Sequence, residues 1–523
     1  MNRTQIFVST VNTSFLRLAS QGIALLTGII ITGVFGATII ADDYYAALIL
    51  PGAIANLIIS SLTVVFTPIY LERIQREPEQ RQGIVASMSF VTSVALLLGL
   101  VIAVCAVPIS VNLRDLQTQA DINRALGFGL LLTALTPTLG FARLLGVICE
   151  AHQRYTIPAV AAVMNSVTFL LILIVGLGTL GSYSLLVANL AGQIVELALL
   201  VLYSWRTLNI SPLPKPFVHP AIREVLRLSI GPSISYLAIF FVPTLDRTVA
   251  STLGEGALTI FNFGERLIVV IDLLIMSGFI TVIANHWANV ASQASLTVAA
   301  ANLPPAISLL SFAVVPLCVG AAMLSVPIIS ILFERGAFTA VSESAHVFAV
   351  LAISLIFNYI IVLIVRLLLI ARDTASQAFL SIVVSALNAV LNIVLAPILG
   401  LSGIVLSTLF TRIVVMCLSY WRLRRRLPQL DLRPALPRLA RTLVCTAVMA
   451  LALLALQSIF GAALARDYGL VAQIAALGFV VVVAAAVYVG VALLIRHPDF
   501  TTLLQTVSET RYGAVMRRVL RLS

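Results

Sequence analysis

Fourteen apolar stretches, each long enough to cross a bilayer, recur along this chain and leave room for little else. They fall at about 7–37, 44–69, 84–110, 125–150, 156–179, 182–204, 226–252, 257–287, 305–332, 345–370, 376–398, 401–421, 441–462 and 469–495. A helix needs roughly 20 mostly apolar residues to span the hydrocarbon core. Short turns carrying Gly, Pro or charge separate the stretches, as at Gly254-Glu255-Gly256, from Gly400 to Gly403, and along the polar run from Glu72 to Gly83. In lipid, backbone groups must be satisfied internally, which leaves helices or closed barrels. No long alternation of the barrel type is present. The expected fold is an all-α polytopic membrane protein with about 14 transmembrane helices.

Composition agrees. Of 523 residues, 60% are hydrophobic and 10% charged, against about 25% charged in a soluble globular protein, and mean hydropathy is +1.08. So little solvating surface excludes a soluble enzyme, a nucleic-acid-binding module and a disordered scaffold. The net charge of +11 comes from 32 basic residues, of which all but Lys215 are Arg. With the N-terminus placed in the cytoplasm, 22 of them fall in cytoplasmic segments: among others Arg73, Arg76 and Arg81, the loop from Arg206 to Arg227, the loop from Arg422 to Arg441, and the tail. Four fall in external loops (Arg114, Arg124, Arg335 and Arg466) and six within helices. That split obeys the positive-inside rule, so both termini are expected to be cytoplasmic. The start of the chain, with Arg3 and no small-residue cleavage site, reads as the first span and not as a removed signal. The five cysteines (Cys105, Cys149, Cys318, Cys417 and Cys445) have neither CxxC nor zinc spacing, so no disulfide framework or metal cluster is expected.

The chain repeats itself. Met164-Asn165-Ser166, Leu180-Gly181 and Trp205-Arg206 are echoed by Leu387-Asn388-Ala389, Leu399-Gly400 and Trp421-Arg422, and Leu16-Arg17-Leu18 by Leu226-Arg227-Leu228. This divides the chain into a six-helix lobe at 1–206, a second at 207–425, and two further helices with a basic tail at 426–523. Six is even, so both lobes enter the membrane in the same direction, an architecture typical of alternating-access transporters.

Ionisable residues at membrane depth cost about 2.5–3.5 kcal/mol each on insertion scales and normally face a cavity or a partner. Here they are Arg17, Arg143, Glu196, Asp246, Arg247, Arg266, Asp272, Arg366 and Arg412. Asp246 and Arg266 lie ten residues either side of Gly256, at similar depth. They read either as a salt bridge pinning a helical hairpin or as a cavity cation beside an acidic ion ligand. Arg17 lies one turn before Gln21, so both can project into one cleft, or Arg17 can snorkel to the cytoplasmic interface. Asn388 and Asn392, spaced i, i+4, share a helix face, and Thr408 adds a hydroxyl. Hard cations favour several oxygen ligands, with Asp246 as a source of charge, whereas paired asparagines also serve as interhelical glue. Gly176-Leu177-Gly178-Thr179-Leu180-Gly181 matches GxGxxG but has no βαβ context. There is no P-loop lysine, no HExxH and no GxSxG, so an enzyme is not expected.

Several runs resemble the MurJ/MviN lipid II flippases. Leu332-Phe333-Glu334-Arg335-Gly336-Ala337-Phe338-Thr339 is similar to that family's LFERGAFT signature. Further resemblances are Phe35-Gly36-Ala37 with Ala41-Asp42 and Leu50-Pro51; Leu145-Gly146 with Arg154-Tyr155-Thr156-Ile157-Pro158-Ala159 and Asn165; and Phe263-Gly264-Glu265-Arg266-Leu267. They cover about 15–425 in the family's order. The resemblance implies the MOP-superfamily fold: two lobes around a cationic cavity, with the last two helices forming a groove for a lipid tail. It implies export of an undecaprenyl-pyrophosphate-linked peptidoglycan precursor across the bacterial inner membrane by alternating access. The substrate contacts it implies are Arg266 and Asp42, with Arg17 and Gln21 on the first helix. Sodium is implied at Asp246, Asn388, Asn392, the Ile404 carbonyl and Thr408, with sodium or the membrane potential as the coupling agent and no other cofactor. The expected partners are the polyprenyl-linked lipid, membrane lipids and cell-wall synthesis proteins, around a monomer. Where the family's first helix carries arginines, this chain has Ser20-Gln21 and Thr27-Gly28, and Asn392 replaces an acidic residue. Another lipid-linked oligosaccharide as substrate, or a transport-inactive membrane scaffold, are the alternatives this leaves.

Overall fold

The computed structural model describes residues 3–114, 116–216, 219–276, 280, 283, 287, 296–334, 336–371, 373–465 and 468–501. Parts of the stretch expected at 257–287, Arg335, Arg466 and the tail beyond Thr501 lie outside them. The main helices are α1 Arg3–Phe35, α2 Ile39–Arg76, α3 Arg81–Asn112, α4 Gln119–Leu132, α5 Leu135–Ala151, α6 Thr156–Leu180, α7 Ser184–Arg206, α8 Pro220–Ala250 and α9 Ala257–Ile275. They continue with α10 Leu303–Met323, α11 Ser325–Phe333, α12 Val341–Ile370, α13 Thr374–Leu399, α14 Leu401–Arg426, α15 Leu436–Ile459 and α16 Leu470–Leu494. Among the described residues, twelve segments are long and apolar enough to cross a membrane. One of them, Thr156–Arg206, comprises both α6 and α7, and α9 is the described part of the stretch expected at 257–287. Each of the fourteen expected stretches therefore carries helix, and the all-α membrane fold is confirmed.

Two expected single spans are broken, each where a proline removes a backbone donor. Pro137 cannot bond the carbonyl of Thr133, four residues back, and the ladder tightens there instead: Thr136 N–H donates to Thr133 O at 2.9 Å between α4 and α5. Pro327 likewise leaves the Met323 carbonyl without its helical donor, between α10 and α11. The Gln457 amide on α15 fills that gap at 2.7 Å, as a carbonyl inside a membrane requires. Gly181 after α6 and Gly400 after α13 both take a positive φ (55° and 60°).

By packing, the chain forms two compact units. The first comprises 1–262, 335–339 and 385–404. Its centre is α2, which packs against α3, α4, α5 and α8. Ile59, Phe66, Tyr70, Met88, Leu145 and Ile222 make one buried cluster, and Ile31, Phe128, Leu132, Leu173 and Leu185 another. The signature loop is anchored in this unit by Ala337 N–H donating to Gly33 O at 3.1 Å. The second unit comprises 263–334, 340–384 and 405–523. Within it α10 packs against α12 and α15, and α15 against α16, around Phe312, Met449, Leu453, Val480 and Tyr488.

Candidate functional site

In the first unit, α8 and α13 run side by side and parallel. Ser385 Oγ donates to Ala238 O at 3.1 Å, and two turns further along both helices Asn392 Nδ2 donates to Asp246 Oδ1 at 2.6 Å. Parallel direction is what the count of spans demands of the seventh and eleventh. Asn392 Nδ2 also donates to Asn388 Oδ1 at 3.0 Å. All three residues are buried, the two asparagines completely. Asn392 Oδ1 has no protein donor. The result is a buried cluster of side-chain oxygens that includes one carboxylate. An orphan acceptor at membrane depth is costly, and hard oxygen donors suit a cation such as sodium. Ile404 is buried in the first turn of α14, in the same unit, while Thr408 is buried in the second unit.

Asp42 is also buried, but its oxygens are engaged. Oδ2 accepts from Gly256 N–H at 2.6 Å, and Oδ1 from Thr259 N–H at 2.8 Å and Thr259 Oγ1 at 2.6 Å. These donors open α9, so the carboxylate caps the positive end of that helix from another element. Gly256 makes the approach possible: at φ 79°, a Cβ there would sit 2.6 Å from Ala37 O. Asp42, expected to touch substrate, is thus placed as a helix clamp. The next residue, Asp43, escaped the sequence reading. It is ion-paired with Arg114 and Arg124 at 2.7 Å each, and Arg124 with Asp121 at 2.7 Å. The adjacent pair Asp42-Asp43 beside two loop arginines was the available signal.

Arg17 and Gln21 lie exposed on one face of α1. Arg17 reaches Glu150 at the end of α5 at 3.3 Å, and Ser20 hydrogen-bonds Ser166 on α6 at 2.9 Å. Arg143, on α5, interacts with Glu196 on α7, and Glu196 Oε2 accepts from Asn165 Nδ2 at 2.6 Å.

Arg266 is half-buried on α9 in the second unit. Further along α9, Asp272 lies beside Tyr359 and near Arg412, which donates to Ser354 Oγ at 2.6 Å. Sequence reading picked out Asp272 and Arg412 but not Tyr359, an apolar-looking residue in an apolar run. The second unit also holds an apolar groove of about 430 Å³ between α10, α15 and α16, lined by Phe312, Pro316, Leu317, Met449, Ala484 and Tyr488. Tyr488 Oη donates to Phe312 O at 2.7 Å. Next to it, beyond α16, Asp499 accepts from Ser308 Oγ and pairs with Arg438 at 3.3 Å, beside the buried His497. Burial holds the His497 imidazole below the usual histidine range.

The family model described as lipid II flippase MurJ matches residues 31–472. A probable lipid II flippase MurJ from Thermotoga maritima is 27% identical over 395 residues, covering 73% of this chain and 78% of that protein. Another from Synechocystis is 24% identical over 437 residues, covering 79% and 81%. Among solved structures, the inward closed conformation of lipid II flippase MurJ superposes with a TM-score of 0.77 at 16% identity, covering 94% of this chain and 99% of that one. An inward-facing MATE-family multidrug transporter of the MOP superfamily gives 0.65 at 14% identity over 80% of this chain and 98% of that one. The two structures establish the fold, and the family match runs through the oxygen cluster, Arg266 and most of the apolar groove. This chain belongs to the lipid II flippase MurJ family of transporters.

Proposed function

We propose that this protein flips lipid II, the undecaprenyl-diphosphate-linked peptidoglycan precursor, across the bacterial cytoplasmic membrane by alternating access. The match to the family over residues 31–472 carries the reading and favours it over another lipid-linked saccharide or an inactive scaffold. The diphosphate is the group an arginine fork binds best; Arg17 with Gln21 in the first unit, and Arg266 in the second, are each a candidate contact. The groove beside Phe312 and Tyr488 suits the polyprenyl chain, since it is apolar along its length. Sodium at Asp246, Asn388 and Asn392, with the Ile404 carbonyl of the same unit, is the coupling ion. What supports it is the buried orphan oxygen of Asn392 beside a single carboxylate. The arginine distribution supports cytoplasmic termini. A monomer working beside cell-wall synthesis proteins completes the reading. Growth of a bacterium depleted of its own lipid II flippase, rescued by this chain, is the test; membrane-inserted protein without rescue would refute the reading.

A further inference from the structure

The turn from α14 into α15 carries seven arginines and one acid, Asp431, between residues 422 and 441. It joins two spans of the second unit, so it lies at the edge of the bilayer. Four of the arginines are held by the protein. Arg426 pairs with Asp373 at 2.8 Å, and Asp373 in turn accepts from Ser376 in the first turn of α13. The Arg422 guanidinium lies over the Phe379 ring at 4.0 Å and that of Arg425 over Trp421 at 3.7 Å. Arg438 pairs with Asp499 at 3.3 Å.

Arg424 is placed differently. It stands two residues from both Arg422 and Arg426, and therefore on the opposite side of α14. There it lines a cleft of about 360 Å³ together with Tyr420, Leu430, Asp431, Arg433 and Leu436. Neither Arg424 nor Arg433 has an acidic partner among the described residues. Asp431 Oδ1 accepts from the backbone N–H of Arg433 at 2.9 Å, which fixes the turn into α15. Two guanidinium groups and one carboxylate leave the lining with one net positive charge. Apolar surface continues from the cleft along α15, where Leu436 and Leu443 are exposed seven residues apart on one face. Trp421 is also exposed at this level, as aromatic side chains at a bilayer boundary are.

We infer that this cleft holds the head group of a phosphatidylglycerol-type lipid. The phosphodiester sits between Arg424 and Arg433, a glycerol hydroxyl donates to Asp431, and the acyl chains run beside Leu436 and Leu443. Charge selects the occupant: one net positive charge complements a head with a single negative charge, whereas a zwitterionic head brings none. Arginine forks suit phosphate oxygens, and a carboxylate, which only accepts, suits a head that carries hydroxyls. The bound lipid ties the corner between α14 and α15 to the bilayer, independently of the lipid II reading.

The test is lipid retention by the delipidated full-length protein in an uncharged detergent, read by native mass spectrometry and melting temperature at constant ionic strength. The probes are phosphatidylglycerol, phosphatidylcholine and phosphatidylmethanol with the same acyl chains, and inorganic phosphate. Wild-type protein is expected to retain phosphatidylglycerol about tenfold better than phosphatidylcholine, the scale of one charge-assisted contact. It should also prefer phosphatidylglycerol to phosphatidylmethanol, which has the charge but lacks the hydroxyls. Arg424→Gln with Arg433→Gln removes the preference over phosphatidylcholine and leaves lipid-free melting unchanged, while the corresponding Lys pair, which keeps the charge, retains part of it. Arg206→Gln with Arg223→Gln, two exposed arginines of the first unit, removes the same charge and leaves the preference intact. Equal losses in the two Gln pairs, no preference for phosphatidylglycerol over either lipid, or a melting shift with inorganic phosphate as large as with the lipid would each overturn the assignment.

Discussion

Asn392 donates to Asp246 at 2.6 Å while its own side-chain oxygen stays buried without a donor. One amide thus both orients the only carboxylate of the cluster and offers it a second oxygen. Asp246 is the one carboxylate among these three residues, and the proposed ion is accordingly monovalent. Asp246→Ala is expected to abolish any sodium-dependent rise in melting temperature, and Asn392→Asp, which adds a charge, to strengthen sodium binding about tenfold, because charge count tunes cation affinity. Titration of melting temperature against sodium at constant ionic strength reads both. An Asp246→Ala protein with an unchanged sodium response would remove the ion from this cluster.

Asp42 accepts three hydrogen bonds from the start of α9. Asp42→Ala is expected to cost about 2–4 kcal/mol of stability, the loss of a charged cap with its donors left buried. Asp42→Asn should recover part of this. Thermal melting in detergent separates the clamp from a substrate contact: unchanged melting with weakened lipid binding would return Asp42 to the substrate.

Ala484 is among the residues lining the groove between α10, α15 and α16. Ala484→Trp fills it with a side chain of about 200 Å². Binding of long-chain undecaprenyl lipids should fall about tenfold or more while a short-chain diphosphate analogue binds as before. Equal binding of the long chain by this variant would place the tail elsewhere.

His497 is completely buried beside Thr442, Phe312 and Asp499, with Arg438 and Arg441 nearby. Burial depresses its folded pKa, so the unfolded chain binds the extra proton first. Its contribution to stability is present above the unfolded value, about 6.5, and is lost as pH falls from there toward the lower folded value. Melting temperature should therefore drop between about pH 7 and pH 5, and His497→Gln should flatten that slope. An identical slope in the variant would assign the pH dependence to other groups.

Most of the fold was legible because membrane burial forces length and apolarity on every span. The spacing of Asn388 and Asn392 revealed their shared face, and the cluster with Asp246 followed once α8 and α13 lay side by side. What spacing could not give is who meets whom across helices. Spacing alone did not show that Asn392 donates to Asp246. Asp42 had the right charge for a ligand, but its partners arise from a turn more than 200 residues away. The helix breaks at Pro137 and Pro327 were readable only as prolines within apolar runs, and the repair of one of them by Gln457 was not.

The central claim is movement of lipid II, and outer-leaflet lipid II reports it most directly. In cells depleted of their own flippase and expressing this chain, lipid II cleavage by an externally added, membrane-impermeant lipid II hydrolase would be measured. Restored cleavage is expected for the wild type, and loss of it in Arg266→Ala at normal membrane levels. Lipid II that stays protected although the wild-type chain is inserted at normal levels would contradict the account.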